Sequence, residues 1–228
     1  MRIVVTRPQA DGERTAAQLE ALGHEVLVAP LMRIEPVPAD LAGNWSAIAI
    51  TSANALQVPP PAGLAGLPVF TVGARTAEAA RQGGYEDVSA ASGGTKDLVR
   101  LIISRRTGEK APVLYLAGED RAGDLVAELA ARGIGTELKI VYRAVAEPFP
   151  TMLAAALEAG DVDAVLHFSR RSAELFVAGA RSANVADPAL DVRHLCLSAQ
   201  VAEPLAGASR VVVASQPEEA ALLALLRA

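Results

Sequence analysis

The chain has 228 residues, a formal net charge of -5, 51% hydrophobic residues and 21% charged residues. At about 150 residues per domain, that length holds one large domain or two small ones, and the composition excludes wholesale disorder and a collagen-like repeat. Apolar runs fall short of the roughly 18 residues that span a bilayer. With 4% aromatics on an acidic chain, general nucleic-acid binding is not expected. An acidic protein still binds a small anion where helix N-termini and arginines gather. The opening Met1-Arg2-Ile3-Val4-Val5-Thr6-Arg7-Pro8 carries an apolar stretch of three residues, which is not a secretory signal. The single cysteine, Cys196, excludes an internal disulfide and a multi-thiolate metal site. The cytoplasm is the expected compartment.

One pattern recurs along the chain: a short β-branched run ends in a small polar residue or glycine, and a helical stretch follows. Ile3-Val4-Val5 ends in Thr6 and leads to a helix from about Asp11 to Leu22, with Gly23 as its C′ residue. Arg33-Ile34-Glu35-Pro36-Val37-Pro38 is extended and ends in proline. Ala47–Ile50 ends in Thr51-Ser52, Val69–Val72 in Gly73, and Val113–Leu116 in Ala117-Gly118. A helix is expected from Arg121 to Arg132, with Leu125, Val126, Leu129 and Ala130 on one face and Gly133 closing it. Thr136-Glu137-Leu138 begins a strand, and Ile140–Pro150 is a second extended, proline-terminated segment. Ala164–Phe168 ends in Ser169, Leu195–Leu197 in Ser198, and Val211–Ala214 in Ser215. Ser215-Gln216-Pro217-Glu218 predicts a capping box before a last helix on Leu222, Leu223 and Leu226. Continuous apolar strands alternating with helices predict parallel sheets covered on both faces. The helix–Gly–strand unit around Leu19–Val26 echoes that around Leu129–Leu138, as any βαβ unit would. The two proline-terminated segments read either as crossings into an inserted domain or as strand exits of a single domain.

Common chemical motifs are absent. No G-x-G-x-x-G follows a strand, no G-x-S-x-G occurs, and Asp124 stands where a phosphate-binding loop needs lysine. His24, His167 and His194 are scattered, with no metal-ligand spacing. His167 lies in an apolar strand without a nameable partner, and Cys196 sits between leucines as inert packing. What remains is a set of strand ends: Thr6, Thr51, Ser52, Gly73, Gly118, Ser169, Ser198 and Ser215. In open α/β sheets, ligands bind beyond the carboxyl ends of the strands, where helix N-termini present unpaired N–H groups. Each hydroxyl there is an N-cap worth about 1 kcal/mol, a ligand contact, or both. Arg7, Arg75, Arg121, Arg170 and Arg171 follow strand ends too, where a guanidinium clamps a carboxylate in bidentate fashion.

In order and spacing these residues resemble the uroporphyrinogen-III synthase family along the whole chain. The likeness runs from Val4-Val5-Thr6-Arg7-Pro8 through Leu22-Gly23-His24-Glu25-Val26 and Pro30-Leu31 to Ile50-Thr51-Ser52-Ala53-Asn54-Ala55. It continues with Val72-Gly73, Thr76-Ala77, Gly83-Gly84 and Gly94 with Leu98. Leu116-Ala117-Gly118 with Arg121 and Leu125, then Gly133, Val141-Tyr142 and Phe168-Ser169 complete it. The chain departs from the family in two places. Gln57-Val58-Pro59-Pro60-Pro61 cuts short the helix after Thr51-Ser52, and Ser198-Ala199-Gln200-Val201 replaces a Gly-Pro-Thr-type run.

The resemblance implies two small parallel-sheet α/β domains joined by two extended linkers, with the active site in the cleft between them. On this chain, residues 1–34 with 146–228 form a discontinuous domain, 39–139 an inserted one, and 35–38 and 140–145 the linkers. It implies a cofactor-independent, cyclising lyase of tetrapyrrole biosynthesis that dehydrates hydroxymethylbilane and inverts the last pyrrole ring. The expected partner is that polycarboxylate substrate, without metal, nucleic acid or membrane, on a monomer. Tyr142 matches the family's tyrosine and is the expected proton donor. Thr6, Arg7, Thr51, Ser52, Gly73, Thr76, Gly118, Arg121, Ser169, Ser198 and Gln200 are the expected substrate contacts. The competing expectation is a non-catalytic, two-lobed binding protein for an anionic small molecule.

Overall fold

The computed structural model describes residues 1–57, 59–61, 63–106, 110–121 and 123–227. Val58 of the Gln57–Pro61 interruption and Ala122 of the expected 121–132 helix lie outside the described residues, as does residue 228. In chain order the elements are β1 (Arg2–Val5), α1 (Gln9–Ala21), β2 (Glu25–Val28), β3 (Met32–Pro36), β4 (Ala47–Ile50), β5 (Val69–Thr71) and α2 (Ala74–Gln82). Then come β6 (Val88–Ala90), α3 (Gly94–Arg105), β7 (Val113–Gly118), α4 (Leu125–Ala130) and β8 (Thr136–Ala146). The remainder is α5 (Thr151–Glu158), β9 (Ala164–His167), α6 (Arg170–Ser182), α7 (Ala186–Asp191), β10 (Arg193–Cys196), α8 (Ala199–Ala202), β11 (Arg210–Val213) and α9 (Glu219–Ala224).

By its internal contacts the chain divides into two units, Met1–Arg33 with Val145–Ala228, and Ile34–Ala144. The first holds a sheet ordered β11-β10-β9-β1-β2, and all its neighbouring strands are parallel. In the other sheet the order is β3-β8-β7-β4-β5-β6, and β6-β5-β4-β7-β8 are parallel. The passages from one unit to the other fall inside strands β3 and β8. The expected linker residues 140–145 are part of β8, an unbroken strand of 11 residues.

Alternation along each apolar strand builds two layers of core. In the first unit Val4 faces a cluster with Leu153, Phe176 and Ala189 from α5, α6 and α7. Ile3 and Val5 face Leu19 of α1 and Leu222 of α9. In the second unit Ala47 and Ala49 face Leu98 and Ile102 of α3 and Leu129 of α4. Ile48 and Ile50 face Trp45, Leu64 and Ala80. Both faces of each sheet are covered, which is why these strands read as continuous apolar runs.

The core of the first unit holds a pair that the sequence did not disclose. His167 ends β9, His194 lies in β10, and the two strands are parallel neighbours. His167 Nε2 and His194 Nδ1 are 3.0 Å apart, and His194 Nε2 lies 3.1 Å from the Ala189 carbonyl. A carbonyl only accepts, so His194 carries its proton on Nε2 and His167 donates from its own Nε2. Burial, followed by the His194 neighbour, pushes the His167 pKa well below the ordinary histidine value. Burial lowers His194 to about 4, against the hydrogen bond to Ala189.

Two expected helix starts are corrected. The helix expected from Arg121 begins only at Leu125, because Asp124 is its N-cap and accepts from Ala127 N at 3.0 Å. Gly123 just before it has φ +76, which lies outside helical space. The box expected at Ser215 does not form: α9 starts at Glu219, behind Glu218 and with no side-chain cap. Tertiary contacts fix that start, since Glu219 reaches Arg7, Arg14 and Thr15 while Leu222 fills the core. Gly23 and Gly133, with φ +84 and +73, close their helices as expected.

Candidate active site

In the second unit the strand order reverses between β4 and β7, the position at which doubly wound sheets open a crevice beyond their carboxyl ends. Beyond β4 come Thr51 and Ser52, while β7 ends at Gly118. Tyr142 of β8 pairs with Gly118, next to a register shift between Ala117 and Gly118. The Tyr142 ring lies directly on the Gly118 backbone. A Cβ at Gly118 would stand 2.5 Å from the ring Cζ and 2.7 Å from the phenol oxygen, so glycine is what admits the ring.

Around that phenol the hydroxyls pair off. Ser52 is close enough to the Tyr142 phenol to influence its proton, and it accepts from Asn54 N at 3.2 Å as cap of the short 3-10 turn Ala53–Leu56. Thr51 Oγ1 lies 3.0 Å from the hydroxyl of Tyr115 in β7. Burial raises the Tyr142 pKa, the Ser52 hydrogen bond opposes it, and Tyr115 adds to the rise. The phenol is therefore protonated at neutral pH and available to donate. Tyr115 is a candidate residue that sequence reasoning missed, brought in by its pairing with Thr51. The available signal was a phenol inside the apolar run Val113–Leu116, since a buried hydroxyl needs a partner.

The other expected contacts are placed differently. Gly73 is the extended N-cap of α2 with open space where a Cβ would go, and Thr76 is buried in that helix's first turn. Arg121 is exposed, donates to the Glu119 carbonyl at 3.2 Å, and shares a shallow depression with Glu119, Asp120 and Asp124. In the first unit Thr6 is fully buried, with Oγ1 3.5 Å from the Leu166 carbonyl, so its hydroxyl serves the strand rather than a crevice. Arg7 turns inward, 4.2 Å over the Phe168 ring, and donates to Glu219 at 3.1 Å, Thr15 at 3.2 Å and Asp11 at 3.4 Å. Burial pushes the Glu219 carboxyl up, but Arg7, Arg14 and the Thr15 hydrogen bond outweigh it and hold its pKa below the usual carboxylate value. Ser169 caps α6 in a reciprocal box with Ser172, Ser198 caps α8, and Gln200 is exposed on α8. Ser169 and Ser198 thus act as helix caps, and within the second unit the Tyr142 ring meets Gly118 directly while Thr51 and Ser52 follow the end of the strand next to β7.

A cavity of about 580 Å³ lies in the second unit, lined by Val37, Leu41, Pro60, Leu64, Tyr85 and Leu116 among others. Leu116 alternates with Tyr115 along β7, so this apolar space belongs to the opposite sheet face and contains none of the paired hydroxyls. Among the described residues no group of three or more His, Cys, Asp or Glu side chains could hold a metal ion, and no helix is long and apolar enough to cross a membrane.

A uroporphyrinogen-III synthetase from Helicobacter pylori matches with a TM-score of 0.68 at 18% identity, over 100% of this chain and 99% of the other. A mutant uroporphyrinogen III synthase from the extreme thermophile Thermus thermophilus matches with a TM-score of 0.57 at 21% identity, over 100% and 98%. At such identities these matches establish a shared fold. No curated protein sequence matches. The family described as Uroporphyrinogen-III synthase HemD matches residues 13–224, and with nearly the whole sequence inside that match, the chain belongs to the uroporphyrinogen-III synthase family.

Proposed function

We propose that this chain closes hydroxymethylbilane into uroporphyrinogen III, with Tyr142 as the proton donor to the departing hydroxyl. The observation that carries this reading is the Tyr142 phenol seated on Gly118 at the end of β7, where the strand order reverses, with burial favouring its protonated form. The family implies a cyclising enzyme of the lyase class and a tetrapyrrole substrate.

The reaction begins as a pyrrole nitrogen pushes out the hydroxymethyl oxygen of the first ring. Tyr142 gives its proton as the C–O bond breaks, and water leaves. The resulting azafulvene forms a bond to the substituted carbon of the last ring, giving a spiro intermediate. That intermediate fragments at the old bond and recloses with the last ring inverted. The proton released as the ring regains aromaticity returns to the phenolate. Because the pyrrole supplies the push, a weak acid suffices, and the larger contribution is the orientation that directs attack to the substituted carbon. No cofactor enters this sequence.

Thr51 and Ser52 are proposed to meet substrate carboxylates directly, with Gly73, Thr76 and Arg121 at neighbouring strand ends of the same unit. Ser169, Ser198 and Gln200 are the corresponding candidates of the first unit, where Thr6 and Arg7 hold the end of β1. The proposed setting is a cytoplasmic monomer without a nucleic-acid partner. The test is a product assay: hydroxymethylbilane is supplied, the products are oxidised and the uroporphyrin isomers separated. A type III excess that scales with protein supports the reading, and type I alone, the product of unassisted closure, overturns it.

A further inference from the structure

Tyr115 lies in β7 beside Ala49 of β4 in register, and it is 3% exposed among Ala117, Leu98 and Val99. Thr51 is two residues beyond Ala49 and therefore on the same sheet face, half-buried at the strand end. Their oxygens are 3.0 Å apart. A phenol, with a pKa near 10, is the stronger donor of the two, and an aliphatic hydroxyl the better acceptor. Either oxygen can donate across this pair, and the acidity of the phenol favours donation from Tyr115 into Thr51 Oγ1. The Thr51 proton then points away from Tyr115, at the carboxyl end of β4.

We propose that Tyr115 is a positioning residue: a buried phenol that orients the Thr51 hydroxyl as a hydrogen-bond donor to a carboxylate of the bound tetrapyrrole. This inference rests on the function proposed above and adds a residue to it. Tyr115 itself is too buried to touch substrate and acts through Thr51. Tyr115→Phe keeps the ring and its packing but frees the Thr51 hydroxyl to rotate. A donor that must be re-ordered at each binding event weakens binding by roughly three- to tenfold, while the Tyr142 phenol, whose pKa is raised first of all by burial, keeps its proton at neutral pH.

The test is a double-mutant cycle of Tyr115→Phe and Thr51→Val, read as KM and kcat for hydroxymethylbilane. Equilibrium binding of uroporphyrin, a ring carrying the same acetate and propionate groups, is measured in parallel. Tyr115→Phe is expected to raise KM and the uroporphyrin Kd by that factor with kcat nearly unchanged, and to add nothing in the Thr51→Val background. Unchanged KM and Kd overturn the inference, as does a penalty that adds in full to that of Thr51→Val, because then Tyr115 does not act through Thr51. If the unmutated protein binds uroporphyrin but forms no type III isomer, the proposed function fails. The inference then stands or falls on the Kd cycle alone. A protein that neither binds nor turns over removes both.

Discussion

Tyr142 owes its position to the residue beneath it more than to its own hydrogen bond. Tyr142→Phe keeps the ring on Gly118 and removes only the proton, so turnover is expected to fall roughly ten- to a hundredfold with melting temperature nearly unchanged. That is at or below the low end of general-acid contributions. Gly118→Ala does the reverse: the added carbon would stand 2.5 Å from the ring and expel the ring while leaving its proton. The loss of kcat is expected to equal or exceed that of Tyr142→Phe, and steady-state kinetics on both variants checks the order. Arg7 separates two roles. Its side chain is held by Glu219, Asp11 and Thr15, so Arg7→Ala is expected to cost about 2 kcal/mol in urea unfolding, part of it from stranding Glu219. An arginine that clamped substrate would raise KM at constant stability. Of the second unit's residues, Thr51, Ser52 and Gly118 were legible as strand ends, and Tyr142 through family resemblance. Tyr115 was hidden because its partner is 64 positions away, and only the β4–β7 neighbourhood brings the two together.

Helix α6 shows how far local rules carry. Its start is secure, because Ser169 and Ser172 cap each other reciprocally, although only the small polar strand end was visible beforehand. Its middle depends on Gly179, where a Cβ would stand 2.3 Å from Phe149 Cδ2. Gly179→Ala gains about 1 kcal/mol of helix propensity but overpacks a ring wedged against the core, at a cost of about 1–3 kcal/mol. Net destabilisation is expected, and a thermal melt measures it; a higher melting temperature would show that Phe149 yields freely. Propensity likewise failed at α9, where the Ser215 box lost to the pull of Glu219 on Arg7 and Arg14. The central strands were readable because burial on both faces makes them uniformly apolar. β6 was not foreseen: it is three residues long, partly exposed, and at the sheet edge. β8 was readable only in pieces, because Glu137, Lys139 and Arg143 interrupt its apolar pattern.

The two units have separate cores, and only the first carries the histidine pair. Both histidines are neutral in the fold, with pKa values below the ordinary 6.5, whereas the unfolded chain takes up protons near that value. The unfolded state therefore binds more protons in acid. The stabilisation is present above pH 6.5 and is lost as pH falls towards about 4. His194 alone is expected to remove roughly 2 kcal/mol by pH 5. The single tryptophan, Trp45, reports on the other unit. Far-UV circular dichroism is expected to change at higher pH than Trp45 fluorescence as the protein is acidified, and coincident curves would show that the units unfold together. The split itself was suggested by two proline-terminated segments, but periodicity could not decide between a crossing and a loop exit. Sheet order has a further consequence, one that concerns time. In the first unit β1 must pair with β9, Val4 lying opposite Val165. A chain emerging from the ribosome holds β1, α1 and β2, which end at Val28, without their central neighbour until β9 is made from Ala164 onward. The inserted unit has all its strands once β8 ends at Ala146, before β9 begins at Ala164. It can fold first, bringing the early and late halves of its host to a common point and shortening the loop that β1 and β9 must close.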